Sequence, residues 1–134
     1  SWKGDGQVRG LTIDGIIRQG VTCKTDAASV KQVVFILMDN ANKYCDEGGT
    51  VRVDLEPRGR KGAVITVENS YARAERFDPE KVFERFYRMD AERSQKACHG
   101  IGLSLARETA ENLGGSLEAY TLSEPPTIGF RFTL

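Results

Sequence analysis

An asparagine and a lysine in one predicted helix could together hold an oxyanion. Apolar residues recur through residues 30–44 at the three- and four-residue spacing of a buried helix face. At about 100° per residue, Asn40 and Lys43 share the flank of that face with Ile36. An amide oxygen suits a hydrated magnesium ion, and an ammonium group neutralises phosphate charge. The pair predicts a phosphate site, with an ordinary solvated helix boundary as the alternative.

A second candidate is the glycine pair Gly100 and Gly102, which flanks Ile101 just before a helix predicted from Leu103 onward. The free N–H groups and the positive end of a helix dipole favour phosphate, and glycine lets the phosphate approach the backbone. The alternative is a simple hinge. A dinucleotide-binding fold is disfavoured because no strand precedes the pair, and the phosphate-loop pattern GxxxxGK[ST] does not occur in the sequence.

The first half of the chain contains one strongly periodic helix, predicted over residues 26–44 with Thr25 or Asp26 as its N-cap. Apolar and polar residues alternate over residues 51–55, and a turn at 57–62 leads to a partner strand at 63–68, which predicts a hairpin. Two weaker strands are expected at 8–13 and 16–24, broken by Gly15 and Gly20.

The second half is predicted to hold two further helices and a second hairpin. Asp78 and Pro79 form a helix-start signal ahead of an apolar stripe at 82–87, and a third helix runs over 103–113 until Gly114 and Gly115. Strands are expected at 117–122 and 128–134. Clustered rather than alternating elements predict an α+β fold, a two-layer sandwich whose mixed, mainly antiparallel sheet is covered on one face by three helices.

Composition excludes several classes of protein. The 134 residues include 19 Lys+Arg and 19 Asp+Glu with 40% hydrophobic residues, which fits one globular domain and argues against a strongly basic nucleic-acid binder or a disordered tail. The longest apolar run is too short to span a bilayer. Three cysteines without CxxC spacing suggest neither a disulfide framework nor a zinc site, and favour a reducing cytoplasm. A start at Ser1 suggests a fragment of a longer protein.

Four motifs occur together in a characteristic order. They are residues 39–44 (DNANKY), 83–88 (FERFYR), 100–105 (GIGLSL) and the closing 129–132 (GFRF). The first three resemble the asparagine, phenylalanine and second glycine boxes of the ATP-binding catalytic domain of bacterial sensor histidine kinases, and the fourth resembles the closing pattern of that domain. Its fold is shared with DNA gyrase and mismatch-repair ATPases. The resemblance covers residues 21–134 and implies one ATP-binding domain over 1–134, with uncertain edge strands at 1–20.

The resemblance implies ATP and Mg²⁺ as ligands and assigns residue roles. Asn40 is implied as the magnesium ligand, Asn40 and Lys43 as the catalytic residues, and residues 89–99 as a lid over ATP, with Phe83 and Phe86 anchoring the base of that lid. The implied nucleotide-binding residues are Asn40, Lys43, Tyr44, Asn69, Arg88, Arg93, Gly100, Ile101, Gly102 and Leu103.

The sequence departs from the family pattern at several implied site positions. Asn69 stands where an aspartate normally reads the adenine amino group, and Tyr71 and Arg73 replace glycines of the first glycine box. Ile36 replaces a polar residue one turn before Asn40, and Cys98 and His99 replace a glycine and a small residue at the start of the second glycine box. A neutral hydrogen bond that the Asn69 amide oxygen accepts implies roughly tenfold weaker adenine binding than one accepted by a charged carboxylate.

The resulting hypothesis is a kinase domain that supplies the γ-phosphate of Mg-ATP to a histidine on a separate dimerisation domain. His99, the only histidine, is interpreted as a lid residue and not as the phosphoacceptor. Implied partners are that dimerisation domain and a response regulator, without nucleic acid. The parent protein is expected to be a homodimeric receptor at the plasma membrane with this domain in the cytoplasm. Alternatives are a degenerate scaffold with weak or no nucleotide binding, and a serine kinase of the anti-sigma-factor type.

Overall fold

The computed structural model describes residues 26–84 and 102–134 with their side chains, and residues 12–17 by their backbone alone. These residues form a five-stranded sheet in the order β1-β2-β3-β5-β4. The strands are β1 (Thr12–Ile17), β2 (Thr50–Arg58), β3 (Gly62–Ser70), β4 (Ser116–Ser123) and β5 (Pro126–Thr133). Only β1 pairs in parallel, with β2, and the other pairs are antiparallel. The predicted mixed, mainly antiparallel sheet is confirmed.

The first edge strand differs from the prediction. Two strands broken at Gly15 were expected, whereas β1 is one strand that passes through Gly15, opposite Val53 of β2. Gly15 lowers strand propensity, but pairing with β2 determines the conformation there. Residues 1–11 and 18–25, including the expected break at Gly20, lie outside the described residues.

Helix α1 (Ala27–Tyr44) begins where the sequence predicts. The carboxylate of Asp26 accepts the backbone N–H of Ala28 at 3.0 Å and the hydroxyl of Ser29 at 3.0 Å. The Ser29 bond, followed by the bond to Ala28, lowers the pKa of Asp26. At the other end, the N–H of Cys45 bonds to Ala41 and closes the last turn. One face of α1 is buried through Val33, Leu37, Ala41 and Tyr44.

Helix α2 (Gly102–Asn112) ends in a Schellman motif. Gly114 has φ +84°, its N–H bonds to Glu111 at 3.0 Å, and the N–H of Gly115 bonds to Ala110 at 3.0 Å. Gly115 also lies against β5, where an added Cβ would stand 2.0 Å from the carbonyl oxygen of Thr133. Both glycines that were predicted to end this helix are therefore required by the backbone.

The segment predicted as a second α-helix is a short 3-10 helix, Lys81–Phe83, in its described part. Asp78 does cap it, accepting the N–H groups of Glu80 at 2.9 Å and Lys81 at 3.2 Å. Glu84 is already extended, with φ −68° and ψ 142°, because one turn suffices to bury Val82 and Phe83. A second 3-10 helix covers Ala74–Arg76. The described residues thus hold two α-helices, not three.

The core lies between the helices and one face of the sheet. Phe130 of β5 meets Phe77 and Phe83 edge-on, with ring centroids 6.2 and 6.0 Å apart. The predicted alternation in the last strand is confirmed, since Ile128, Phe130 and Phe132 are buried on this face. Helix α1 packs against α2 in this layer.

Candidate functional site

Asn40 presents an oxygen atom suited to a cation. It lies seven residues after the buried Val33, nearly two helical turns, and so points close to the core side of α1. Its Oδ1 atom is buried and has no hydrogen-bond partner among the described residues. A buried acceptor without a partner is costly, so the atom is poised to bind a donor or a metal ion.

Asn42 offers a natural comparison with Asn40. Its Oδ1 is also buried and without a partner within the described ranges. Two residues along an α-helix rotate a side chain by about 200°, so Asn42 lies on the opposite side of α1 from Asn40. The two asparagines share residue type and helix but not direction.

Lys43 lies one turn after Asp39 and pairs with it. Its Nζ is 3.0 Å from Asp39 Oδ2, and the two side chains are 33% and 44% exposed. Ion pairs this exposed contribute little to stability, so exchanging the carboxylate for a phosphate oxygen costs little. Tyr44, the next residue, is buried at the end of the core face of α1.

Gly102 lies at the start of α2, against the flank of α1. A Cβ built on Gly102 would be 3.9 Å from Cγ2 of Ile36, an ordinary contact, and no other described atom would lie within 4 Å. Ile36 is one turn before Asn40, so the start of α2 and Asn40 border the same region. Leu103 is half-buried and packs against the core.

Several predicted site residues lie outside the described ranges. They are Arg88, Arg93, Gly100 and Ile101, together with Phe86 and the 89–99 segment that contains Cys98 and His99. Their predicted roles stay predictions.

Asn69 is a buried polar residue near the end of β3. It is 1% exposed, between Val51 of β2 and Ile128 of β5 in the register. Its Nδ2 donates to the backbone oxygen of Ser70 at 3.1 Å. That bond fixes the orientation of the amide and leaves Oδ1 as the atom that can accept a hydrogen bond from a ligand.

The loop after Asn69 differs from a glycine-rich loop in its anchoring. Tyr71 is 5% exposed and belongs to the hydrophobic core, while its N–H donates to Pro126 at 3.1 Å. Arg73 is exposed. The sequence analysis missed a further anchor, Asp46, whose Oδ2 accepts the N–H of Ala72 at 2.8 Å. No sequence signal joins Asp46 to a residue 26 positions away.

A groove of about 630 Å³ opens beside the other flank of α2. It is lined by Asp78, Pro79, Glu80, Phe83, Arg107, Glu118 and Ala119. Arg107 is engaged over the ring of Phe83, 4.7 Å from its centroid. Three carboxylates against one arginine repel polyphosphate, so this groove does not fit a nucleotide.

The described side chains hold no group of three or more His, Cys, Asp or Glu able to bind a metal. The buried Oδ1 of Asn40 is a single amide oxygen, and an ion that keeps most of its waters, such as Mg²⁺, needs few protein ligands. Among the described helices, none is long and apolar enough to cross a membrane.

The chain is similar to known proteins of one family. Residues 25–134 match the family model of histidine kinase-, DNA gyrase B-, and HSP90-like ATPases. The sensor protein CiaH of Streptococcus pneumoniae is 36% identical over 97 residues, 72% of this chain and 22% of CiaH. The sensor histidine kinase WalK of Bacillus subtilis is 33% identical over 111 residues, 81% of this chain and 18% of WalK. The chain thus spans about a fifth of these relatives.

Solved structures share the fold. The mycobacterial sensor histidine kinase MprB superposes with a TM-score of 0.74 at 21% identity, covering 98% of this chain and 88% of that chain. The histidine kinase ThkA, solved in complex with the response regulator protein TrrA, gives 0.72 at 18% identity, covering 98% and 36%. The chain therefore belongs to the family of histidine kinase-, DNA gyrase B-, and HSP90-like ATPases, as an ATP-binding domain of the sensor-kinase type.

Proposed function

We propose that the chain binds Mg-ATP and presents its γ-phosphate to a histidine on a separate dimerisation domain of the same, longer protein. The observation that carries the proposal is the buried, unpartnered Oδ1 of Asn40 beside the start of α2. An amide oxygen in that position is a suitable ligand for a cation that accompanies phosphate.

Asn40 would hold the magnesium ion through Oδ1, with water completing the coordination. The ion, when bound, neutralises phosphate charge and fixes the polyphosphate. Lys43 would add a second positive charge, exchanging Asp39 for a phosphate oxygen. The site residues therefore act by binding and charge neutralisation.

Gly102 supports the phosphate role because the described fold places no steric demand for glycine there. Without a Cβ, a phosphate can approach the N–H groups at the start of α2, where the helix dipole is positive. The first N–H groups of a helix have no partner within the helix, and a phosphate would satisfy them.

Asn69 would read the adenine base. With Nδ2 turned to Ser70, its Oδ1 can accept a hydrogen bond from the adenine amino group. That oxygen has no hydrogen to donate to the carbonyl oxygen that guanine carries in place of the amino group. This orientation favours ATP over GTP. The bond is neutral and so weaker than one to a carboxylate.

The phosphoacceptor would come from another domain, because the chain's one histidine, His99, falls in the predicted lid. Transfer then depends on positioning the γ-phosphate in line with an imidazole from outside, and phosphoryl transfer needs little covalent chemistry from the kinase domain itself. The chain would form one catalytic domain of a homodimeric receptor kinase, on the cytoplasmic side of the membrane. A response regulator would receive the phosphoryl group.

The proposal is tested by replacing Asn40 and Asn42 separately with alanine and titrating each variant with ATP, with and without Mg²⁺. Asn40→Ala should lose at least about tenfold in affinity with Mg²⁺, since ligand-sphere losses commonly cost that much, and change little without it. Asn42→Ala, on the other side of α1, should match the unmodified chain. Equal Mg²⁺-dependent affinity for Asn40→Ala and Asn42→Ala would count against the assignment.

The alternative of a scaffold without nucleotide binding rests on the departures from the family pattern at Ile36, Asn69, Tyr71 and Arg73. Ile36 can neither bind a cation nor move a proton. An absence of nucleotide binding in a folded, unmodified chain would favour that alternative.

A further inference from the structure

Asp46 joins the two parts of the structure that carry the proposed nucleotide site. It directly follows Cys45, the C-cap of α1. Its N–H donates to the backbone oxygen of Ser70 at 3.1 Å, and its Oδ2 accepts the N–H of Ala72 at 2.8 Å. One residue thus bonds twice to the end of β3 and the loop that follows.

The segment that follows α1 is also in very close contact with the end of β3 at Gly49. A Cβ on Gly49 would lie 2.9 Å from Cβ of Ser70, 2.9 Å from the backbone oxygen of Asp46 and 3.0 Å from Sγ of Cys45. The N–H of Gly49 donates to that same Asp46 oxygen at 2.9 Å. The chain leaving α1 is therefore held against the end of β3 with no space for a side chain between them.

The loop that Asp46 holds lies on the base side of the proposed site. It starts directly after Asn69 and Ser70, and residues 69–77 contain no glycine. Helix α1 carries the phosphate-side groups, Asn40 and Lys43. A nucleotide that contacts both groups needs them at a fixed separation, and an error of about 1 Å in such placement is costly.

We infer that Asp46 is a positioning residue for nucleotide binding, which fixes the base-side loop at Ala72 against the end of the phosphate-side helix. The inference rests on the proposed function. Asp46 contacts the loop backbone and acts on the ligand through it. The carboxylate supplies a charge-assisted bond to an N–H group, which is stronger than a neutral one.

The test compares Asp46→Ala, Asp46→Asn and the control Asp26→Ala in titrations with ATP and with ADP. Asp46→Ala should weaken both nucleotides by about tenfold, since the bond lost is charge-assisted and holds the base-side loop. The asparagine keeps an oxygen acceptor and should recover most of the affinity. Asp26→Ala removes a carboxylate-to-N–H bond at the far end of α1 and should lower the melting temperature without changing affinity.

Amide hydrogen exchange at Ala72 reports the bond without any nucleotide. Exchange should speed up in Asp46→Ala and stay slow in Asp46→Asn and Asp26→Ala. If the unmodified chain binds ATP and Asp46→Ala binds it equally well, this inference alone is overturned. If Asp26→Ala weakens binding as much as Asp46→Ala, the effect is general destabilisation and the inference is also overturned. If the unmodified chain binds no nucleotide, the proposed function fails and this inference fails with it.

Discussion

Gly115 and Gly102 differ in whether the fold itself requires glycine, and single substitutions can show that difference. At Gly115 a Cβ would collide with Thr133, so the fold itself requires glycine. At Gly102 a Cβ has space, with its nearest described neighbour, Ile36, at 3.9 Å. Packing therefore does not require glycine at position 102, and this position fits the proposed phosphate site, where the ligand would need close approach to the backbone.

Gly102→Ala should therefore reduce ATP affinity by about tenfold while the melting temperature stays the same or rises slightly, because alanine is the better helix former. Calorimetric titration and thermal unfolding measure the two effects. Asn112→Ala, an exposed change at the other end of α2, is the matched control and should leave affinity unchanged. If Gly102→Ala binds ATP as tightly as Asn112→Ala does, the backbone at the start of α2 is not part of the phosphate site.

The sequence was informative about single residues where a local pattern constrained them. Asn40 and Lys43 could be placed on one flank of α1 because helical periodicity fixes direction. The tie from Asp46 to Ala72 could not be predicted, since it spans 26 positions and depends on how α1 and β3 end together. The burial of Tyr71 in the core likewise follows from tertiary packing.

Elements with repeated spacing were predicted best. Helix α1 and both hairpins follow from periodicity, capping and turn residues. The prediction of an Asp78 cap was also correct. The cap begins a single 3-10 turn, in which Val82 and Phe83 are buried, and the backbone is extended at Glu84. The continuous strand through Gly15 depends on parallel pairing with β2, a long-range contact that local propensity does not report.

The outer face of the sheet carries a cross-strand cluster around Tyr120. The ring of Tyr120 on β4 covers Gly129 of β5, where a Cβ would be 2.5 Å from Cζ. Its hydroxyl donates to Glu68 of β3, and Arg131 lies 4.8 Å above the ring. Burial is the main cause that raises the pKa of Tyr120 well above its usual value, and the bond to Glu68 is the second cause.

This raised pKa predicts loss of stability in base. Above about pH 10 the unfolded chain releases the phenol proton while the folded chain retains it, so stability falls as pH rises toward the folded pKa. Urea unfolding from pH 8 to pH 11 should show that fall. Tyr120→Phe should flatten it, and Glu68→Gln, which keeps an acceptor without charge, should lie between. An identical slope in all three proteins would contradict the assignment.

At the scale of the whole molecule, the proposed site draws on three parts of the chain that are distant in sequence. Helix α1 supplies Asn40 and Lys43, α2 begins at Gly102, and Asn69 lies near the end of β3. The family match over residues 25–134 accounts for this arrangement. A neutral overall charge further means that phosphate affinity must come from the local site and not from the general field of the protein.

The most direct test of the account is calorimetric titration of the folded, unmodified chain with ATP, with and without Mg²⁺. We expect saturable binding in the micromolar to sub-millimolar range that tightens when Mg²⁺ is present, because Asn40 is the proposed ligand of the ion. A folded chain that shows no heat of binding at millimolar ATP, or whose affinity ignores Mg²⁺, would contradict it.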